Sequence, residues 1–183
     1  VEQVNLIGAS YGTRVAQQYA ARYPQHTRSL VLDGVVPNDL VVGAEFANTF
    51  QRAIEAQAAL CRQDDACAKR FPVDTVTQLR SVVAELKANP RTVRYRDPST
   101  AQWHEEPLPA DAVTGLAFAF SSVPQMSALL PVVLDEAAQG RSDGLAALSK
   151  MAGSSMAGQI NRGMQWSVIC AEDNDRQVNS ASG

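Results

Sequence analysis

The stretch Val4-Asn5-Leu6-Ile7-Gly8-Ala9-Ser10-Tyr11-Gly12-Thr13 decides the fold. Its first four residues form a short apolar run, which is typical of a buried parallel strand, and the run stops at a glycine. Over residues 13–23 apolar side chains recur at helical spacing until Pro24 ends the helix. A second apolar run follows at residues 30–32. Residues 4–32 therefore predict a strand–helix–strand unit, and the fold class is α/β.

The residues Gly8, Ser10 and Gly12 form a GxSxG motif between the predicted strand and helix. In this setting the serine is a candidate catalytic nucleophile, because the sharp turn presents its hydroxyl at the start of the helix. We expect glycine on both sides because larger side chains would collide with the neighbouring strand and helix. The backbone N–H of Tyr11 would supply half of an oxyanion hole. The alternative is a glycine-rich turn with a bystander serine.

The composition narrows the class of protein. A chain of 183 residues with 45% hydrophobic and 19% charged residues is typical of a globular protein, not a disordered or collagen-like one. The net charge of -3 and the scattered basic residues argue against nucleic acid as a partner. No run approaches the roughly 18 to 20 apolar residues of a membrane helix, so we expect no membrane partner. The chain begins at Val1, and no signal peptide can be read from it.

Three segments are expected along the chain. Residues 1–37 form a core segment that contains the turn at Ser10, residues 38–164 a mostly helical insertion, and residues 165–183 a return toward the core. Alternation predicts a hairpin near residues 92–106, with Val93 and Tyr95 on one face. Later segments are predicted as helices at residues 111–120, 125–139 and 142–150, and as a loop or mobile helix at 151–164.

Several segments together resemble the α/β-hydrolase family of proline iminopeptidases and exported tripeptidyl aminopeptidases. They are Gly8-Ala9-Ser10-Tyr11-Gly12-Thr13, Arg22-Tyr23-Pro24, residues 29–35, the pair Cys61 and Cys67, and residues 166–173. The resemblance implies a fragment of an α/β-hydrolase fold in which the helical insertion is a cap. It also implies a serine peptidase that releases N-terminal residues or short peptides through an acyl-enzyme on Ser10.

The same resemblance suggests a substrate-binding role for Glu172. In these aminopeptidases, acidic residues near the junction of cap and core bind the free α-amino group of the peptide substrate. A carboxylate suits that task because it pairs with an ammonium and rejects blocked N-termini. The alternative interpretation of Glu172 is a solvated or structural carboxylate.

Neither histidine is a good candidate for the catalytic base. His26 lies between the first helix and the second strand, at the edge of the sheet opposite Ser10. His104 lies on the predicted hairpin, where we expect a partly exposed residue that faces Arg94 or Arg96.

The catalytic acid is also not evident. Asp33 ends the second strand at the same edge of the sheet as Ser10, but strand-terminal turn chemistry is the favoured interpretation. The resembled family carries its acid and then its histidine after the cap, so we expect both beyond residue 183. Only nine residues precede Ser10, so we expect that the second donor of the oxyanion hole does not lie upstream of it in this chain. We therefore expect the remaining hydrolase segments to be needed for activity and for a stable fold.

The cysteines bear on the compartment. On one continuous helix Cys61 and Cys67 would be about 240° apart, but a turn at residues 63–65 could bring them into a disulfide. Such a bond implies a periplasmic or secreted protein, whereas two reduced thiols would suit the cytosol. Cys170 is the third cysteine and has no partner left among the other two, so we expect its partner beyond residue 183. No cysteine or histidine spacing suggests a metal, and no cofactor is expected.

Two other functions remain open at this point. The turn at Ser10 serves acyl transfer in general, so a carboxylic-ester hydrolase of the same fold is the enzymatic alternative. A non-catalytic binding module, with the helical insertion as its interaction surface, is the alternative from another class.

Overall fold

The structure is a computed structural model that describes residues 2–157 and 161–173; of residues 155–157 it describes only the helical backbone. Within this range the chain divides into two compact units. One unit comprises the residues up to Ala44 and those from Ala171, and the other runs from Glu45 to Cys170. We call them the elbow unit and the helical unit. Residues 174–183, which belong to the expected return toward the core, lie outside the described residues.

The elbow unit contains the strand–helix–strand arrangement that the sequence predicts. It consists of β1 (Val4–Ala9), α1 (Tyr11–Arg22) and β2 (Thr27–Asp33). The two strands pair in parallel over residues 4–9 and 27–33. Helix α1 ends just before a 3-10 turn at Pro24–His26, because proline has no N–H with which to continue a helix. The α/β prediction is confirmed.

Burial in the elbow unit is concentrated at the start of α1. The buried residues of this helix are Thr13, Arg14 and Ala16, two of which are polar. By contrast, Ile7 and Val31 lie opposite each other across the strand pair and are 81% and 56% exposed. Burial in α1 is therefore confined to its first two turns.

The helical unit contains a hairpin and most of the helices. The hairpin pairs β3 (Arg91–Arg96) with β4 (Trp103–Leu108) in antiparallel fashion. The described helices are α2 (Phe46–Gln63), α3 (Asp65–Arg70), α4 (Thr75–Ala88), α5 (Ala110–Ser121), α6 (Pro124–Ser127), α7 (Leu130–Ala138), α8 (Asp143–Ala157) and α9 (Arg162–Glu172), the last of which continues into the elbow unit. The largest fully buried side chains of its core include Ile54, Leu116, Leu130, Leu134 and Leu145.

Some helix boundaries differ from the prediction. The single helix expected over 125–139 is divided into α6 and α7, with Pro131 in the first turn of α7, where the missing N–H of proline is tolerated. Helix α8 continues to Ala157, past the predicted end at residue 150. Trp166 in α9 is 61% exposed, and no residue of α9 is buried. The chain joins the elbow unit at Ala171, directly after this exposed stretch.

The hairpin corrects the expected surroundings of His104. Val93 and Tyr95, which were expected to share one face, are both buried. His104 lies opposite Tyr95 in the register, so it shares that face and not the face of Arg94 and Arg96. Its ring stacks on Tyr95 at a centroid distance of 5.8 Å, and its Nδ1 lies 3.4 Å from Glu106 Oε1.

The disulfide between Cys61 and Cys67 is present, with a Cα–Cα distance of 5.2 Å. Helix α2 ends at Gln63 and α3 begins at Asp65. The Asp64 side chain caps α3 by accepting a hydrogen bond from the Cys67 N–H at 2.7 Å. This break between two helices provides the turn that the pairing requires.

Candidate active site

Ser10 occupies the junction between β1 and α1 with φ 52° and ψ -123°. Positive φ is unfavourable for a residue with a side chain, so the surrounding contacts must hold this conformation. The Ser10 N–H donates to the carbonyl of Asp33 at 2.9 Å, and the Ser10 carbonyl accepts from the Thr13 N–H at 3.0 Å. The turn is therefore held from β2 on one side and from α1 on the other, with an exposed serine at its apex.

Thr13 is a structural residue of this turn that the sequence analysis did not single out. Its side chain is fully buried, and its Oγ1 donates to the Ser10 carbonyl at 2.6 Å. The same oxygen accepts a hydrogen bond from the Val36 N–H at 2.8 Å. Thr13 thus ties the strained residue to the segment that follows β2. The only sequence signal was its position in the resembled motif.

The two glycines of the motif have different environments. A Cβ on Gly8 would lie 2.4 Å from the Gly12 carbonyl oxygen and 2.8 Å from the Thr13 nitrogen. A Cβ on Gly12 would meet no described atom within 4 Å apart from its own helix backbone and chain neighbours. The expected steric requirement for glycine is therefore confirmed at Gly8, whereas at Gly12 the described residues impose none. The difference arises because the backbone of the first turn of α1 passes close to Gly8.

The backbone N–H of Tyr11 lies at the first position of α1. Such N–H groups have no carbonyl four residues earlier within the helix, and the positive end of the helix dipole lies there. The arrangement is suited to stabilising a negative oxygen beside Ser10.

The Tyr11 side chain connects the turn to Glu172. Its hydroxyl donates a short hydrogen bond to Glu172 Oε1. This bond, together with burial and the negative charge of Glu172, raises the pKa of Tyr11 to about 12. The phenol therefore stays protonated and remains a donor to the carboxylate throughout the physiological range.

Two buried charged residues lie next to this contact and were missed by sequence reasoning. Arg14 Nη1 lies 3.4 Å from Glu172 Oε2 and 3.3 Å from Asp173 Oδ2. The side chains of Arg14 and Asp173 are 5% and 1% exposed, and that of Glu172 is 40% exposed. No local spacing could have revealed this cluster, since Arg14 and Asp173 are 159 positions apart.

The exposed side of Glu172 opens into a cleft of about 770 Å³ within the elbow unit. Tyr11, Arg14, Arg22 and Asn38 also line this cleft. Glu172 is the acidic side chain among its described lining residues, so its carboxylate is the group there that can accept hydrogen bonds from a positively charged ligand.

The other sequence candidates are placed elsewhere. His26 precedes β2, and its Nδ1 lies 3.1 Å from the Glu2 carbonyl oxygen. Because β1 and β2 are parallel, His26 is separated from Ser10 by the length of the strands, about 20 Å. The chain's other histidine, His104, belongs to the helical unit. The backbone carbonyl of Asp33 accepts the Ser10 N–H, and Asp33 is exposed.

The described residues also bear on metal-binding and thiol chemistry. Within residues 2–157 and 161–173 no group of three or more histidine, cysteine or acidic side chains is arranged to hold a metal ion. Cys170 is an exposed free cysteine in α9. No described helix has the length and apolar character required to cross a membrane.

The parallel strands β1 and β2 are joined by the strained turn at Ser10 and by α1, and this arrangement indicates the class of protein. Residues 1–110 match the alpha/beta hydrolase fold family. The chain is therefore a member of the α/β-hydrolase family.

Among curated proteins the chain is similar to Serine protease Hip1 of Mycobacterium bovis and to Serine protease Hip1 of Mycobacterium tuberculosis. It is 33% identical to each over an alignment of 159 residues, and the match covers 82% of this chain and 29% of the relative. The chain thus spans less than a third of the length of these relatives.

Proposed function

We propose that this chain is the part of a serine peptidase that carries the nucleophile, and that the enzyme is an aminopeptidase. Ser10 Oγ attacks the scissile carbonyl while a base takes its proton, and the oxyanion is stabilised by the Tyr11 N–H. The amine then leaves with a proton, and water hydrolyses the resulting ester to regenerate Ser10. The base and its acid are expected in segments after residue 183.

The observation that carries the proposal is the backbone of Ser10. A non-glycine residue at φ 52°, between a parallel strand and a helix and within GxSxG, is under strain that the fold maintains through three hydrogen bonds. Strain of this kind is concentrated at functional sites. A bystander serine would have no need of a conformation that costs about 1 to 3 kcal/mol.

Glu172 supports the finer proposal of an aminopeptidase. Its carboxylate is partly exposed, accepts a hydrogen bond from the residue that follows Ser10, and lines the cleft. We assign it to the free α-amino group of a peptide substrate. An ammonium would gain a charge-assisted hydrogen bond there, whereas an acetylated N-terminus would leave the carboxylate without it.

The disulfide supports a periplasmic or secreted location for the proposed enzyme. Disulfides persist in oxidising compartments and are rare in the cytosol of mesophiles. This location can be tested by isolating the natural protein under thiol-trapping conditions and measuring its mass with and without reductant. A reduced Cys61 and Cys67 pair in the trapped protein would contradict it.

The first test of the proposal is fluorophosphonate labelling of the full-length natural protein, with intact mass and peptide mapping. We expect one adduct on Ser10, which Ser10→Ala abolishes while Ser29→Ala does not. Labelling that persists in Ser10→Ala would refute the assignment of the nucleophile.

The second test concerns substrate class. Peptidyl amides with free N-termini, their N-acetylated forms and simple esters would be compared as substrates. We expect the free amines to be preferred, and Glu172→Gln to remove that preference by raising KM tenfold or more. Glu2→Gln, an exposed glutamate at the opposite end of β1, is the matched control and should change nothing. Turnover of esters alone would instead identify a carboxylic-ester hydrolase.

A further inference from the structure

The least expected feature of the elbow unit is a buried ion pair. As whole residues, Arg14 and Asp173 are each only 4% exposed, which is rare for charged residues. Burying two charges costs several kcal/mol for each ion, and their attraction seldom recovers more than that. A buried ion pair is therefore weak evidence for a stabilising role. The contacts of Arg14 indicate a positioning role instead.

The contacts of Arg14 join three segments that are far apart in sequence. Its Nη1 donates to both oxygens of Asp173 at 3.3 and 3.4 Å and to Glu172 Oε2 at 3.4 Å. Its Nη2 donates to the carbonyl of Pro37 at 3.2 Å and, through a short bond, to that of Leu40. The guanidinium thus connects α1, the segment after β2 and the end of α9.

Asp173 completes this arrangement from the other side. Its Oδ2 accepts the Val42 N–H at 3.0 Å in addition to the Arg14 guanidinium. The carboxylate is therefore held by both a side chain and the backbone. Because Asp173 is adjacent to Glu172 in the chain, fixing Asp173 also fixes the backbone from which Glu172 projects.

We propose that Arg14 is a positioning residue, held by Asp173, that fixes the Glu172 carboxylate beside Tyr11 and Ser10. The inference rests on the proposed function, in which Glu172 receives the substrate's α-amino group. Glu172 is held at both oxygens, since Tyr11 donates to Oε1 and Arg14 donates to Oε2. A carboxylate fixed in this way meets the ammonium without first losing rotamer freedom.

The test needs a variant that folds without the ion pair. Arg14→Ala would leave Asp173 buried and uncompensated, which destabilises strongly. The double variant Arg14→Met with Asp173→Leu replaces the pair by apolar side chains of similar volume, a change that proteins often tolerate. Arg28→Met, an exposed arginine on β2 that does not line the cleft, is the matched control.

The variants would be made in the full-length natural protein and assayed with free-amine peptidyl amides. We expect the double variant to raise KM for these substrates about tenfold while kcat changes by less than about threefold. We further expect Glu172→Gln to add little in the double variant, although it has its full effect in the wild type. A purely structural pair would not produce this loss of additivity.

The outcomes are distinguishable. An additive effect of Glu172→Gln in the double variant, or an unchanged KM, would overturn the positioning role while leaving the aminopeptidase assignment intact. A wild-type protein that shows no preference for free N-termini would overturn both. If the double variant does not fold, Arg14→Lys supplies the second measurement: lysine keeps the charge but cannot contact both acidic residues and both carbonyls, so KM should again rise.

Discussion

Substituting alanine for each of the two glycines beside Ser10 should have opposite effects. In Gly8→Ala the new Cβ would lie 2.4 Å from the Gly12 oxygen and 2.7 Å from the Gly12 carbonyl carbon. Real Cβ atoms essentially never come within 3.0 Å of another heavy atom, so the first turn of α1 must move by at least 0.6 Å. All the close atoms belong to the backbone, and no side-chain rotation can relieve the overlap.

The cost follows from this displacement. Overpacking of this kind destabilises by about 1 to 3 kcal/mol. Because Ser10 immediately precedes the displaced turn, its hydroxyl moves as well, and a misplacement of about 1 Å lowers a reaction rate by about 10²-fold. In Gly12→Ala the Cβ enters space that is open apart from the backbone of its own helix and its chain neighbours. Alanine is favoured over glycine in helices by up to about 1 kcal/mol, so this variant should be as stable as the wild type or slightly more so.

The assay is the rate of fluorophosphonate labelling at Ser10 in the full-length natural protein, combined with urea unfolding of each variant. We expect Gly8→Ala to lose labelling and unfold at lower urea, and Gly12→Ala to retain both properties. The reasoning would be refuted if Gly8→Ala were labelled at the wild-type rate, or if Gly12→Ala were impaired to the same extent.

Three further predictions concern stability. Thr13→Val removes a hydroxyl that serves as both donor and acceptor in a buried position, so it should destabilise by about 1 to 3 kcal/mol in urea unfolding; an unchanged midpoint would contradict the role of this side chain. Replacing Cys61 and Cys67 by serine opens a small loop and should lower the free energy of unfolding by about 2 kcal/mol, measured against wild type without reductant. The hydrogen bond from Lys150 holds the pKa of Glu106 below its ordinary value, so the stability that Glu106 contributes is present above pH 4.5 and is lost as the pH falls further. Glu106→Gln should therefore show a smaller loss of stability on acidification, and an identical acid transition would count against this ion pair.

Much of the fold was predictable because its signals are local. Apolar runs, helical spacing and Pro24 define β1, α1 and β2 within residues that are near neighbours in the chain. The pairing of Cys61 with Cys67 was likewise accessible, since a break between two helices is a short-range property. His104 was placed on the wrong face because the register of a hairpin depends on which residues pair across it, and alternation in one strand does not specify that.

The sequence by itself determined the class of the protein and the position of its candidate nucleophile, because a strand, a strained turn and a helix are encoded in consecutive residues. Only the tertiary structure decided what surrounds that serine. Arg14 meets Glu172 and Asp173 across 158 and 159 positions, and Thr13 meets Val36 across 23. Such contacts depend on where distant backbone segments pass one another, so no spacing rule predicts them. For the same reason the sequence could not distinguish Gly8, whose Cβ position is filled by the backbone of α1, from Gly12, whose Cβ position is open.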